Sequence, residues 1–302
     1  MNYSPLRYPG GKSSLYDFLK RTIKANNIVD GIYIEAFAGG AGAALKLLML
    51  EDVYQIYLND KDEMIYKFWY SILHQTEDFI KLVSDCELSV EEWEYRKGIL
   101  QSKEQRAKLT DLEIGFTTFY LNRCNRSGII KAGMIGGNKQ EGKWKLDARF
   151  NKEDLISKIR KISHYKDRIK IFNLDAVAFV KKMEKEFSKR KDILLYLDPP
   201  YVEQGQGLYN VFFTDNDHKR LASFMQKKVT LKWLVSYDDH PLIHSIYKEV
   251  SKNIFEFNYF ANRTKVGREL VITSKKCKMT TTYLHYSKSK KLEESNVDTI
   301  AI

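Results

Sequence analysis

Long apolar runs and clustered cysteines are both missing from this sequence. No uninterrupted apolar stretch in its 302 residues approaches the ~18 residues that a membrane-spanning helix needs. Residues 1–12 hold no apolar core, so we expect no signal peptide. The three cysteines (Cys86, Cys124 and Cys277) are far apart and odd in number, which argues against a disulfide framework and against a zinc cluster. We therefore expect a cytoplasmic protein with no membrane partner.

Positive charge is what the sequence has in excess. The chain holds 50 Lys and Arg against 39 Asp and Glu, a formal net charge of +11. Such a balance favours a polyanionic partner, nucleic acid first, although a merely soluble basic protein has the same balance. Hydrophobic residues make up 43% of the chain, enough for the core of one medium α/β domain or of a domain with a large insertion.

Strands and helices alternate along most of the chain. We predict strands at 31–37, 53–58, 168–173, 192–197, 230–236, 253–260 and 268–274. Helices are predicted between most of them, at 43–50, 176–187, 216–227 and 241–248. Strands separated by helices imply parallel βαβ units and a doubly wound sheet. The last two strands follow each other without a helix, which predicts an antiparallel edge.

Residues 64–165 interrupt this alternation. The pattern is helical from 62 to about 124, and residues 125–150 are rich in glycine and in basic residues, as in an extended loop. Asn151 is the predicted N-cap of a further helix that runs to about residue 163. We interpret the block as an inserted, mostly helical subdomain.

A glycine-rich turn follows the first predicted strand. Residues 37–42 (Phe-Ala-Gly-Gly-Ala-Gly) stand between a strand and a helix, where glycine lets the backbone approach a ligand closely. Leu45 stands where the dinucleotide fingerprint needs its third glycine, so a cofactor site and a tight structural turn both stay open. Asp60 ends the next strand, where its carboxylate could accept both hydroxyls of a ribose or could cap the following helix.

The most informative stretch is the Asp-Pro-Pro-Tyr tetrapeptide at residues 198–201, which follows an apolar strand directly. The two prolines donate no backbone hydrogen bond and restrict φ, so they end the strand in a stiff platform. The Asp198 carboxylate and a proline carbonyl could accept both N–H groups of an exocyclic amine while the Tyr201 ring stacks on the base. The alternative is a strand end followed by an ordinary loop.

Two histidines, His240 and His244, lie four residues apart beside an aspartate. Pro241 and the lack of a third clustered ligand favour surface helix residues over a metal site. We therefore expect no metal.

Taken in order, these motifs resemble those of the Dam-like DNA adenine N6-methyltransferases, which use S-adenosylmethionine (SAM). The resemblance covers residues 4 to 275 or so, and Tyr8 stands where a Trp is more usual. Besides the glycine turn and the tetrapeptide, the similar segments are 6–12, 59–60, 121–128, 150–151, 236–238 and 269–270. Segments 121–128 and 150–151 resemble those that flank the family's DNA-recognition hairpin.

The resemblance implies a Rossmann-like, class I SAM-dependent methyltransferase that methylates a flipped-out adenine in double-stranded DNA. Its catalytic domain would comprise residues 1–63 and 166–286, with 64–165 as the target-recognition subdomain and 287–302 as a disordered tail. The implied catalytic residues are Asp198, Pro199, Pro200 and Tyr201. The implied SAM contacts are Tyr8, Lys12, Phe37, Gly39, Asp60 and Asp198, with Asp175 as a further candidate that could instead only cap its helix.

The basic segment 123–149 is a candidate for phosphate and groove contacts, or else a solvated loop. The predicted DNA-binding residues are Arg123, Asn125, Arg126, Lys131, Lys139, Lys143 and Lys145. The alternatives to adenine methylation are cytosine-N4 methylation and a non-catalytic DNA-binding protein on the same fold. The resemblance is compatible with a cognate restriction enzyme as a partner and with a monomer or weak dimer.

Overall fold

A seven-stranded sheet forms the centre of the protein, seen in a computed structural model that describes residues 3–7, 15–202, 213–248, 250–261 and 263–279. Its strands are β1 (Ile32–Glu35), β2 (Gln55–Asn59), β3 (Ile169–Phe172), β4 (Ile193–Leu197), β5 (Lys232–Asp238), β6 (Ser251–Ala261) and β7 (Arg263–Thr273). Helices in the described residues are α1 (Tyr16–Ala25), α2 (Gly42–Met49), α3 (Glu63–His74), α4 (Thr76–Asp85), α5 (Val90–Gln101), α6 (Lys103–Ala107), α7 (Asp111–Cys124), α8 (Lys152–Ser163), α9 (Ala176–Phe187), α10 (Asp215–Lys228) and α11 (Pro241–Ile246).

The strands lie in the order β3-β2-β1-β4-β5-β7-β6. Strands β1 to β5 pair in parallel, whereas β7 is antiparallel to both β5 and β6. This confirms the predicted α/β fold, a mostly parallel doubly wound sheet with an antiparallel edge. The chain order reverses at β1, which has β2 on one side and β4 on the other. Ligands of open α/β sheets bind at the carboxyl ends of strands beside such a reversal, so a site is expected there.

Helices cover both faces of the sheet, which explains why its inner strands are apolar runs. All five residues of β4 are buried. Tyr33 and Leu194 point to one face and pack into a core shared with α1, α2 and α3. Ile34 and Leu195 point to the other face and pack against α9, α10 and α11.

The helical block between β2 and β3 is joined to the sheet through α3. The ring of Phe68 in α3 stacks on that of Phe119 in α7, with centroids 5.8 Å apart. The neighbouring Trp69 donates its indole N–H to the carbonyl of Gly39 in the glycine turn, at 2.9 Å. One helix therefore packs in the helical block and also supports the carboxyl edge of the sheet.

The segment between α7 and α8 forms a long loop. A single 3-10 turn (Arg126–Gly128) and an isolated bridge between Asn125 and Met134 are its only regular structure. Asn151 caps α8 as predicted, because its side chain accepts a hydrogen bond from the Asp154 N–H at 3.0 Å. The predicted disordered tail, 287–302, lies outside the described residues. Within the described ranges, no helix is long and apolar enough to cross a membrane.

Candidate active site

Asp60 links the ends of β1 and β2. Its Oδ2 accepts a hydrogen bond from the Gly39 N–H at 2.8 Å, and its Oδ1 accepts one from the Asp62 N–H at 2.9 Å. The N-cap of α3 is Asp62, whose side chain accepts from the Met64 N–H. The capping alternative for Asp60 is therefore wrong. Asp60 instead holds the glycine turn in place from the neighbouring strand.

The glycine turn is fixed on both sides of Gly39. This residue has φ 45°, in the left-handed region that glycine adopts without steric cost. Its N–H is bonded by Asp60 and its carbonyl by the Trp69 indole. Ala41 also has a positive φ, 47°, which costs a side-chain-bearing residue about 1 kcal/mol. Such local strain, retained at the mouth of a parallel sheet, is typical of ligand sites.

Burial raises the pKa of the Asp60 carboxyl from its ordinary 3.8 to about 7, and the nearby Asp62 adds to the shift. The backbone N–H groups of Asp62 and Gly39 act in the opposite direction, because they stabilise the ionised form. Each oxygen of Asp60 accepts one of these bonds and has a further lone pair. A ligand that donates hydroxyl groups to this carboxylate would therefore favour its ionised form.

Asn59 joins the ends of three strands. Its Nδ2 donates to the carbonyls of Ala36, after β1, and of Leu174, after β3, both at 3.0 Å. Its Oδ1 accepts from the Leu174 N–H at 3.0 Å. The side chain is buried, so these bonds hold the carboxyl edge of β1, β2 and β3 as one rigid rim.

Asp175 stands at the start of α9, and its capping role is confirmed. Its Oδ1 accepts from the Val177 N–H at 3.1 Å, while Oδ2 forms an ion pair with Arg220 at 2.9 Å. Lys61 lies 3.8 Å from the same oxygen. A role toward the adenine of a cofactor stays a prediction.

Of the other predicted cofactor contacts, the structure describes Phe37 but not Tyr8 or Lys12. Phe37 follows β1 and packs edge-to-face on Phe213, with centroids 5.8 Å apart. Tyr8 and Lys12 lie outside the described residues. The structure thus brings together Phe37, Gly39 and Asp60 at one edge.

The Asp-Pro-Pro-Tyr tetrapeptide begins directly after β4, beside β1, and β5 holds it at both ends. Ser236 in β5 donates its hydroxyl to Asp198 Oδ1 at 2.8 Å. Asp238, at the end of the same strand, accepts the Val202 N–H through Oδ1 at 3.2 Å. Pro199 is buried and Tyr201 is half-buried against the core. The tetrapeptide is thus fixed by residues 236–238 of β5, one of the segments that resemble the family's motifs.

A family model described as D12 class N6 adenine-specific DNA methyltransferase matches residues 8–260. The chain belongs to this family. No match is found among curated protein sequences. A solved structure titled "conserved hypothetical protein- streptococcus pyogenes" is 11% identical, with 82% of this chain and 88% of that chain covered, at a TM-score of 0.32. The match to the family model confirms the expected family and spans the glycine turn, Asp60 and the tetrapeptide.

In this D12-class protein, one predicted DNA contact is a buried structural residue. Asn125 is 0% exposed, and its Nδ2 donates to the carbonyls of Ile129 (3.0 Å) and Ile130 (2.8 Å). Its Oδ1 accepts from the Trp93 indole at 2.6 Å. Asn125 thus has a structural role, and its side chain could reach DNA only if the loop opened, so a DNA contact here stays a prediction.

Arg123 is half-buried, and its Nε is buried without a hydrogen-bond partner among the described residues. Its guanidinium donates to the Pro5 carbonyl at 3.4 Å. Burial, and then the nearby Arg7 cation, lower the pKa of Arg123 to about 10. A DNA contact by Arg123, which is half-buried beside the N-terminal segment, stays a prediction.

The remaining predicted DNA contacts are exposed on the loop at residues 125–150, which we name the recognition loop. They are Arg126, Lys131, Lys139, Lys143 and Lys145. Trp144 stands among them with 59% of its surface exposed. Lys143 and Arg149 lie 5.7 and 5.8 Å from the centre of its ring. Trp144 is not among the residues predicted from the sequence, although a tryptophan flanked by two lysines in a basic loop is typical of a nucleic-acid contact.

Hydrogen bonds from the side chains of Lys97 and Gln140 hold the backbone of the recognition loop, whose basic side chains are exposed. Lys97 of α5 donates to the carbonyls of Lys131 (2.8 Å) and Ala132 (3.0 Å). The side chain of Gln140 joins two parts of the loop. Its Oε1 accepts from the Leu146 N–H at 2.8 Å, and its Nε2 donates to the carbonyl of Ile135. A pre-shaped loop loses less conformational entropy when it binds a partner.

The histidines near β5 have local partners. His240 Nδ1 accepts from the Leu242 N–H at the start of α11, and His244 pairs with Asp239 at 2.7 Å. Within the residues that the structure describes, no group of three or more His, Cys, Asp or Glu is arranged to hold a metal ion.

Proposed function

We propose that this chain is a site-specific DNA adenine N6-methyltransferase that transfers the methyl group of SAM to an adenine flipped out of double-stranded DNA. One observation carries the proposal. Asp198 directly follows β4, which neighbours β1 and the glycine turn at the reversal of chain order. Its carboxylate accepts a hydrogen bond from Ser236. A carboxylate at that place is suited to an amine presented from the carboxyl edge of the sheet.

The residues at the neighbouring strand ends fit SAM. Asp60 offers acceptor lone pairs for ribose hydroxyls, and the left-handed Gly39 keeps the turn free of a side chain. Phe37 adds an apolar, aromatic wall beside them. When bound, SAM supplies an activated sulfonium methyl group. The residues that would hold it are Phe37, Gly39 and Asp60, with Tyr8 and Lys12 as further predicted contacts.

The tetrapeptide offers hydrogen-bond acceptors and an aromatic ring to the amine that receives the methyl group. The lone pair of an aromatic amine is delocalised into the ring, so the amine is a poor nucleophile. The Asp198 carboxylate and the Pro199 carbonyl accept its two N–H hydrogens, which favours a more pyramidal nitrogen with an available lone pair. Tyr201 stacks on the base and orients it. Asp198 then stabilises the positive charge that develops on N6 before the proton leaves.

The recognition loop supports the DNA partner. An adenine inside a duplex must leave the stack before its amine can reach Asp198. The exposed lysines and arginine of the loop would contact phosphates, and Trp144 offers a ring on which a base can stack. The predicted division into a catalytic domain (1–63 and 166–286) and an inserted subdomain (64–165) assigns the loop to target recognition. A cytoplasmic location, a restriction enzyme partner and the oligomeric state stay predictions.

The test is a modified-nucleoside analysis of DNA from a host that lacks adenine methylation and expresses this chain. We expect N6-methyladenine at one short sequence, and none from a host that expresses the Asp198→Asn variant at the same level. N4-methylcytosine would move the proposal to the cytosine alternative. Purified protein that binds duplex DNA but methylates neither base would favour the non-catalytic alternative.

A further inference from the structure

Strands β4 and β5 align two polar side chains at the edge of the site. The two strands are parallel, with Tyr196 opposite Leu234 and Leu197 opposite Val235. The next residues in this register are Asp198 and Ser236. Alternate residues of a strand point to the same face, so Tyr196 lies on the same face as Asp198. Three polar groups therefore meet at the carboxyl ends of β4 and β5.

The three groups form a directed chain of hydrogen bonds. The buried Tyr196 hydroxyl lies 2.7 Å from Ser236 Oγ, which lies 2.8 Å from Asp198 Oδ1. A serine hydroxyl has one proton, and an ionised carboxylate can only accept. Ser236 therefore donates to Asp198, and Tyr196 must donate to Ser236. Burial, and then the charge of Asp198, raise the pKa of the Tyr196 phenol well above its ordinary value, which keeps that donor protonated.

We propose that Ser236 and Tyr196 are positioning residues for methyl transfer. Neither needs to touch the substrate, because they act by fixing the side-chain rotation of Asp198. The two prolines after Asp198 stiffen its backbone but leave its side-chain torsions free. A bond to Oδ1 removes that freedom, and the second donor holds the first in place. This inference rests on the proposed function, since it concerns the carboxylate that receives the adenine amine.

The first experiment compares Ser236→Ala with Ser236→Thr in single-turnover methylation of duplex DNA at saturating SAM and DNA. Loss of the hydroxyl should lower the rate about 10- to 100-fold, the cost of a misplaced reacting group. The Kd for DNA should not change, because the phosphate contacts lie elsewhere. Thr keeps the hydroxyl and should restore most of the rate. Thr22→Val, which removes a buried hydroxyl that bonds Phe18 in α1, is the matched control and should leave the rate unchanged.

The second experiment is a double-mutant cycle with Tyr196→Phe. In the native background this variant should slow methylation, because Ser236 loses its partner. In the Ser236→Ala background it should cost nothing further, since the chain is already broken. An equal loss in both backgrounds, or a full rate for Ser236→Ala, would overturn the inference. A native protein that methylates no adenine would instead refute the proposed function, so the two failures are distinguishable.

Discussion

Asn122 bonds the backbone of Arg7 as a neighbouring β-strand would. The Arg7 N–H donates to Asn122 Oδ1 at 2.8 Å, and Asn122 Nδ2 donates to the Arg7 carbonyl at 2.7 Å. The same Nδ2 also donates to the carbonyl of Gly128, at 2.7 Å. Gly128 has φ 74°, and a Cβ there would lie 2.3 Å from the Arg7 carbonyl oxygen. One side chain thus ties Arg7, within the segment 6–12 that resembles the family's N-terminal cofactor segment, to the start of the recognition loop.

Asn122→Ala should therefore weaken SAM binding and DNA binding together. The variant leaves the buried Gly128 carbonyl and the part-buried backbone groups of Arg7 without this partner, at about 1–3 kcal/mol for a fully buried group. Titrations of SAM and of duplex DNA would measure both affinities. Ser102→Ala is the matched control, because it removes a helix cap worth about 1 kcal/mol at the start of α6, outside segments 121–128 and 150–151. Lower thermal stability of Asn122→Ala with both affinities intact would contradict this coupling.

The affinity for SAM should depend on pH through Asp60. Its pKa is raised to about 7, and ribose hydroxyls would bond its ionised form, so affinity should fall about tenfold between about pH 8 and pH 6. Asp60→Asn should bind SAM more weakly, and its affinity should not follow this pH dependence. Isothermal titration at several pH values is the measurement. An unchanged pH dependence in the Asn variant would mean that another group titrates.

The same shift has a consequence for the ligand-free protein. A carboxyl whose pKa rises from 3.8 to about 7 on folding contributes stability that is fully present below 3.8 and is lost as pH rises through 7. The melting temperature of the native chain should therefore fall, relative to Asp60→Asn, as pH is raised across that range. A constant difference between the two proteins would contradict the raised pKa.

Changing Lys139, Lys143 and Lys145 together to Ala should flatten the salt dependence of DNA binding. Each lost phosphate contact lowers the log–log slope by about 0.9, so three contacts would lower it by about 2.7. The control removes three exposed lysines of α9, on the opposite face of the sheet (Lys181, Lys182 and Lys185). If both triple variants changed the slope equally, the recognition loop would have no special part in the interface.

Trp144 should report on DNA directly by its fluorescence. The other three tryptophans of the chain (Trp69, Trp93 and Trp233) are buried, so Trp144 alone is open to a base. Stacking is worth about 1–3 kcal/mol per base, and Trp144→Ala should weaken DNA binding by that amount. Trp144→Phe should keep most of the affinity but lose the quenching that DNA causes. Quenching that persists in the Phe variant would exclude this ring from the interface.

Sequence alone predicted the sheet well, because buried parallel strands are short apolar runs with turn residues at their ends. It also predicted α9 over the residues that form it. It did not predict α1, although Tyr16, Leu19 and Ile23 are buried at helical spacing. The breaks within 62–124 were readable too, since Ser89, Ser102 and Thr110 each cap a helix there.

The sequence motifs predicted which residues lie at the site, but they did not predict the hydrogen-bond partners of those residues. Asp60 and Asp62 are both plausible caps by spacing, and only the tertiary structure shows that Asp60 reaches across to Gly39. Asn125 is polar and lies in a basic segment, yet it is buried because the Trp93 indole from α5 needs an acceptor. Burial of a polar side chain depends on partners distant in sequence, which a local pattern does not contain.

Asp198→Asn should separate binding from chemistry. The amide keeps the size of the side chain and one oxygen that can accept from the Ser236 hydroxyl. With that oxygen held, the NH₂ group takes the place of Oδ2 and directs donors at the donors of the adenine amine. The variant also lacks the negative charge that stabilises a cationic N6. Both effects oppose methyl transfer, so the single-turnover rate should fall at least ~100-fold.

DNA binding by the Asp198→Asn variant should largely survive, because phosphate contacts supply most of the affinity. Rates must be measured at saturating SAM, since the resemblance also assigns Asp198 to the cofactor. Near-normal turnover would refute the role of Asp198 and direct attention to Glu35 at the end of β1 and to Asp238 and Glu269, which pair between β5 and β7.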